Sequence, residues 1–119
     1  MLKLTSPGGD KPLAVLFAYA THSTSLGPRN LIISGDVHGL AEQFLETHFG
    51  SELVAPGFAG ASGDIDPWHR VLPGFNTTNS WLPEPVLMGT MLGEEVAYIA
   101  QRTSTLSGNS PIRSLFKSI

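Results

Sequence analysis

The 119-residue chain has no cysteine, which excludes disulfides and thiolate metal ligands and leaves the compartment unreadable from redox chemistry. Charge is also scarce: 14% of residues are charged against 41% hydrophobic, and the net charge is −3. No basic stripe breaks this balance, so the chain lacks the electrostatic footprint of a nucleic-acid or anionic-membrane binder. No apolar run approaches the roughly 20 residues that cross a bilayer. The segment Met1-Leu2-Lys3-Leu4-Thr5 lacks the basic-then-apolar pattern of an export signal. This leaves a cytosolic protein or one whose export signal lies on sequence outside the chain. Such low charge suits a piece that packs against more protein better than it suits a free-standing domain.

What is present divides into apolar segments and punctuation. The cluster Ser6-Pro7-Gly8-Gly9-Asp10-Lys11-Pro12 separates a short strand around Leu4 from a continuous apolar run over 13–20. That pattern predicts a hairpin whose second arm is a central strand buried on both faces. A polar loop over 23–30 turns at Gly27-Pro28, and Leu31-Ile32-Ile33 is expected to be a short extended piece. Leu40, Phe44 and Leu45 recur at helical spacing, predicting a helix over about 37–49 closed by Gly50. Residues 53–61 predict a second buried strand despite Pro56, and 68–85 a long loop. A last helix over 86–102 is expected to bury Met88, Met91, Leu92, Val96 and Ile99, with 103–119 a frayed, Ser-rich tail. There is no internal repeat. The strand–helix–strand–helix order predicts an α/β fold over 1–119: a small mixed β-sheet with packed helices, incomplete at its edges. Exposed strand edges and apolar surface on such a sheet predict self-association.

The residues able to carry chemistry gather near predicted strand ends, where ligands of open α/β sheets bind. His22 ends the first apolar strand, and a neutral imidazole there is a candidate zinc ligand. Asp64 and Asp66 in Gly63-Asp64-Ile65-Asp66-Pro67 are expected on the same edge. They could hold metal, orient a histidine or act as general base, or simply form a turn ahead of proline. Asp36 and His38 precede the first helix, where Asp36 is equally expected as its N-cap. His48 is expected on the solvated side of that helix, and His69, between Trp68 and Arg70, at the entrance of the long loop. Asn76-Thr77-Thr78 matches a glycosylation sequon, a pattern common by chance.

Taken in order, these segments resemble the neutral/alkaline ceramidase family and its bacterial relatives along nearly the whole chain. His22-Ser23-Thr24 is similar to the family's metal-binding His-Pro-Thr segment, with Ser23 in place of the proline. Ser34-Gly35-Asp36 with Gly39 resembles its Ser-x-Asp-x-x-Gly helix entry. Gly63-Asp64-Ile65-Asp66-Pro67 resembles its Gly-Asp-x-Ser-Pro loop, with Asp66 standing where the family has a catalytic serine. Leu92-Gly93-Glu94-Glu95 falls where the family has a late helix. The resemblance implies a zinc-dependent hydrolase that cleaves the N-acyl bond of ceramide-like lipids, with zinc activating the attacking water. It implies His22 as one metal ligand. The family's other ligands, an upstream histidine segment and downstream Glu and Tyr, have no counterpart here. The resemblance therefore implies a partial catalytic domain that needs the remainder of that domain to be active.

Two alternatives stand beside it. Gly35-Asp36-Val37-His38-Gly39 also resembles the opening of calcineurin-like metallophosphoesterases, in which Asp36, His38 and Asp64 would share a two-metal site. That family's Gly-Asp-x-x-Asp and Gly-Asn-His are lacking, since Asp64 runs into Ile65-Asp66-Pro67 and Gly108-Asn109 is followed by Ser110. The other alternative is a structural remnant that keeps the fold without the chemistry.

Overall fold

The computed structural model describes residues 1–28, 30–67, 83–104, 113–114 and 117. Strands β1 (Leu2–Thr5) and β2 (Pro12–Ala18) form the expected hairpin, antiparallel across the turn at 6–11. Helix α1 (Asp36–Phe49) follows, then β3 (Gly57–Phe58) parallel to β2, then α2 (Pro83–Arg102). The sheet order β1-β2-β3 puts β2 at the centre, and two helices pack on this mixed sheet, giving a small α/β fold. Helix α1 closes at Gly50, whose φ of 105° is open to a residue without Cβ.

Register assigns the faces. Lys3 pairs with Val15, while Leu2 pairs with Leu16 and Leu4 with Ala14. Because strand side chains alternate, Val15 and Phe17 point one way and Ala14, Leu16 and Ala18 the other. Val15 and Phe17 are buried in a core with Ala41 and Leu45 of α1, Leu53, Ala55, and Val96, Ala97 and Ala100 of α2. Both helices therefore cover the same face. The opposite face carries Leu2, Leu4, Val54 and Phe58, each about half exposed. This corrects the expectation of a central strand buried on both sides. The apolar run over 13–20 has an apolar surface on each face, and only one of them is covered here.

The second strand is shorter than 53–61. A bridge pairs Ala14 with Val54, and regular pairing is limited to Gly57 and Phe58. The carbonyls of Val54, Pro56 and Phe58 accept from the amides of Val15, Phe17 and Tyr19 at 3.0–3.2 Å, so the chain runs alongside β2 throughout. Pro56 has no N–H to return to β2, which interrupts the ladder between bridge and strand. On the other side of this segment, Glu42 accepts from the Gly57 amide at 2.7 Å and Glu46 from the Ala55 amide at 3.4 Å. These glutamates lie one turn apart on α1, so the helix fastens itself along the edge of the sheet.

The α1–α2 contact runs through small residues. Gly89 and Gly93 of α2 are buried and abut Leu40 and Phe44 of α1. The buried stripe of α2 is Pro85, Met88, Val96, Ala97 and Ala100 with the two glycines, and Leu92 is half-buried against the core as expected, whereas Met91 and Ile99 are exposed. Large apolar residues thus overstated which side faces inward, because a closely packed helix pair buries its smallest residues. Helix α2 also begins at Pro83, three residues earlier than expected, as proline suits a helix's first turn. At its far end the Lys3 ammonium donates to the carbonyls of Ala100 (2.9 Å) and Thr103 (2.5 Å). The three apolar residues Leu31-Ile32-Ile33 form no strand and are almost fully exposed. No described helix is long and apolar enough to cross a membrane.

Candidate functional site at the carboxyl end of the central strand

After β2 the chain turns sharply, the Thr21 amide bonding back to the Tyr19 carbonyl at 2.9 Å. The turn delivers His22 against the 62–66 loop. Its amide donates to the Ile65 carbonyl at 2.9 Å, and the hydroxyl of buried Thr21 reaches the same oxygen at 3.4 Å. Ile65 in turn closes a tight turn on Ser62 at 3.0 Å, and Pro67, which follows Asp66, is fully buried. His22 is thus joined through the backbone to the residue lying between Asp64 and Asp66. Both aspartates are exposed on this loop, at the same sheet edge as His22. The local fold of the loop is a backbone turn, with the carboxyls left to face solvent.

Asp36 and His38 do something different from what spacing suggested. Gly35 takes the N-cap position of α1 and no side chain caps it, so Asp36 is not the N-cap. Asp36 is the first helical residue, with φ of 49°, a left-handed conformation that aspartate tolerates better than most residues. Its buried carboxyl accepts from the Ser25 hydroxyl (2.5 Å), the Leu26 amide (3.0 Å) and the Val37 amide (2.8 Å). Two of these three donors, from Ser25 and Leu26, tie the 23–26 loop to the start of α1.

His38, in the first turn of the helix, is 7% exposed and stacks on Phe17 at 6.4 Å between ring centroids. Its Nε2 lies 3.0 Å from the Tyr19 carbonyl and its Nδ1 lies 2.6 Å from the Ser23 hydroxyl. The Ser23–His38 pair joins residues fifteen positions apart in sequence. It escaped sequence reading because only the path of the intervening loop brings them together. The one available signal was Ser23-Thr24-Ser25 preceding Asp36 and His38, a polar loop rich in hydroxyls ahead of two ionisable residues.

Of the expected site residues, then, His22 shares an edge with Asp64 and Asp66, while Asp36 and His38 are each engaged with the 19–26 segment. Among the described residues no three His, Asp or Glu side chains converge on a common centre. The two-metal arrangement of Asp36, His38 and Asp64 is therefore not assembled: Asp36 and His38 bond to their own neighbours and Asp64 is exposed on another loop. His69 lies outside the described residues. His48 is exposed as expected, but it also bonds Gln101 of α2 at 2.9 Å and stacks on Phe44. In comparisons with known proteins, no family model, curated protein or solved structure matches the chain.

Proposed function

We propose that the chain is part of a zinc-dependent amide hydrolase resembling the neutral ceramidases and acting on the N-acyl bond of ceramide-like lipids. In this proposal His22 is one zinc ligand, and Asp64 and Asp66 are the carboxylates nearest the reacting bond. The observation that carries it is the junction of His22 with the 62–66 loop, through the Ile65 carbonyl, at the carboxyl end of two parallel strands. This is the edge at which α/β sheets bind ligands. The order of the segments along the chain, with its resemblance to that family, gives the same pairing of histidine and Gly-Asp loop.

The described residues do not make a complete zinc site. A hydrolytic zinc takes about three protein ligands, and only His22 is a candidate at this edge beside two exposed aspartates. The remaining ligands would come from outside the described residues, from His69 or from the remainder of the catalytic domain. The work assigned to this chain's own residues is positional. Thr21 and the His22 amide hold the loop, and buried Pro67 limits how far Asp66 can move.

The test is zinc uptake by equilibrium dialysis of the chain and of His22→Ala, with hydrolysis of a fluorogenic ceramide analogue measured alongside. Uptake is expected to depend on His22, and the chain alone is expected to turn over little amide. Equal zinc uptake by His22→Ala would remove the metal assignment. Rapid hydrolysis by the chain alone would show that no further ligands are needed.

A further inference from the structure

We propose a second site beside the first: Ser23 and His38 form a metal-independent nucleophilic dyad that takes the acyl group of a small ester. The proposal goes beyond the zinc hydrolase and does not depend on it. The Tyr19 carbonyl, 3.0 Å from Nε2, can only accept a hydrogen bond, so Nε2 carries the proton. In the neutral ring Nδ1 is then a bare acceptor, and the Ser23 hydroxyl 2.6 Å away must be the donor. This is the arrangement in which a histidine removes a serine proton: nucleophile bonded to base, base oriented by a third group. Here the third group is a backbone carbonyl at the end of β2.

Burial separates the roles. His38 is held rigidly, 7% exposed, stacked on Phe17 and fixed at both nitrogens. Ser23 is exposed as a residue, and its hydrogen bond to His38 is only part-buried, so the pair sits at the surface of the fold. Ser23 also lines a pocket of about 320 Å³ together with Thr24, Leu26, Gly27, Asn30 and Ile32. A pocket of that size, with half-buried Leu26 on its apolar side, suits a short acyl chain better than a long one. The Ser25 and Leu26 bonds to Asp36 hold the loop that forms the pocket wall.

The chemistry balances without a cofactor. Ser23 Oγ attacks the ester carbonyl, its proton passes to His38 Nδ1, and that proton leaves with the alcohol. Water then attacks the acyl-serine, gives a proton to His38, and the acid departs as Ser23 recovers its hydroxyl hydrogen.

The test uses the full chain in excess EDTA, labelled with an alkyl fluorophosphonate and analysed by intact mass and peptide mapping. Ser23 Oγ displaces fluoride at phosphorus and leaves a stable phosphonyl-serine. One adduct per chain, on Ser23, is expected, absent from Ser23→Ala and from chain unfolded in urea. His38→Gln is expected to label at least about a hundredfold more slowly, the lower range of what a positioned base contributes. If His38→Gln does not fold, the comparison of native with urea-unfolded chain still decides. No adduct, an adduct on Ser25 or scattered sites, or equal labelling of unfolded chain would overturn the dyad. Because EDTA removes metal from the assay, a negative result here leaves the zinc proposal standing, and loss of the zinc proposal leaves this one standing.

Discussion

Substituting alanine for glycine is expected to have opposite effects on stability at Gly89 and at Gly39. Both lie inside helices, where glycine costs about 1 kcal/mol relative to alanine. At Gly39 an added Cβ meets nothing within 4 Å. Gly39→Ala should therefore gain most of that propensity, about 0.5–1 kcal/mol. At Gly89 the new Cβ would stand 2.4 Å from Leu40 Cβ, 3.0 Å from the Val37 carbonyl oxygen and 3.3 Å from the Ala41 nitrogen. Carbon atoms rest at about 3.5–4.0 Å, so the closest contact falls short by roughly 1 Å. None of these atoms is the free end of a flexible side chain. Relief requires α2 to move away from α1 and loosens the packing of Met88, Val96 and Ala97. Overpacking of this kind costs about 1–3 kcal/mol. Less the gain in propensity, the net loss for Gly89→Ala should be about 1–2 kcal/mol. Urea titrations of the two variants and the parent, followed by far-UV circular dichroism, give the ordering Gly39→Ala, parent, Gly89→Ala. If Gly89→Ala unfolds at the same or higher urea than Gly39→Ala, the glycine-mediated helix contact is wrong.

Two further outcomes follow from contacts at the ends of elements. Lys3→Met should lower stability by about 1 kcal/mol, because it removes a cation from the C-terminus of α2 and leaves the Ala100 and Thr103 carbonyls without that donor. Amide exchange of the last turn of α2, slower in the parent, is the readout, and equal exchange would refute the bond. Lys11 pairs with the exposed Glu52, and its hydrogen bond and charge hold the Glu52 carboxyl below its ordinary value. A depressed carboxyl adds stability above its unfolded-state pKa and loses it as pH falls through the folded value, so this contribution belongs to neutral pH and fades in acid. In Lys11→Ala the Glu52 titration followed by NMR should move up to the ordinary carboxylate range, and an unchanged titration would show that the pair does not persist in solution.

The elements were largely legible because their signals are local. Turn formers at 6–12 marked the hairpin, helical spacing of Leu40, Phe44 and Leu45 marked α1, and Gly50 marked its end. What resisted reading depended on neighbours distant in sequence. An apolar run such as 13–20 has the same composition whether one face or two are covered. Hydrophobicity ranks Met91 and Ile99 above Gly89 and Gly93, yet closeness of approach decides which of them are buried. In the site, the edge shared by His22, Asp64 and Asp66 followed from strand ends alone. The roles of Asp36 and His38 did not, because their partners Ser23, Ser25, Leu26 and Tyr19 lie ten to nineteen residues away.

The two glutamates of α1 along β3 have a consequence for how this sheet can grow. The outward amides of Ala55 and Gly57 are already taken by Glu46 and Glu42. A strand from another polypeptide arriving there would have to displace two carboxyls before forming its first backbone bond. The sheet is thereby polar in its growth. Among the described residues it resists extension at β3, which favours widening by strand addition beside β1.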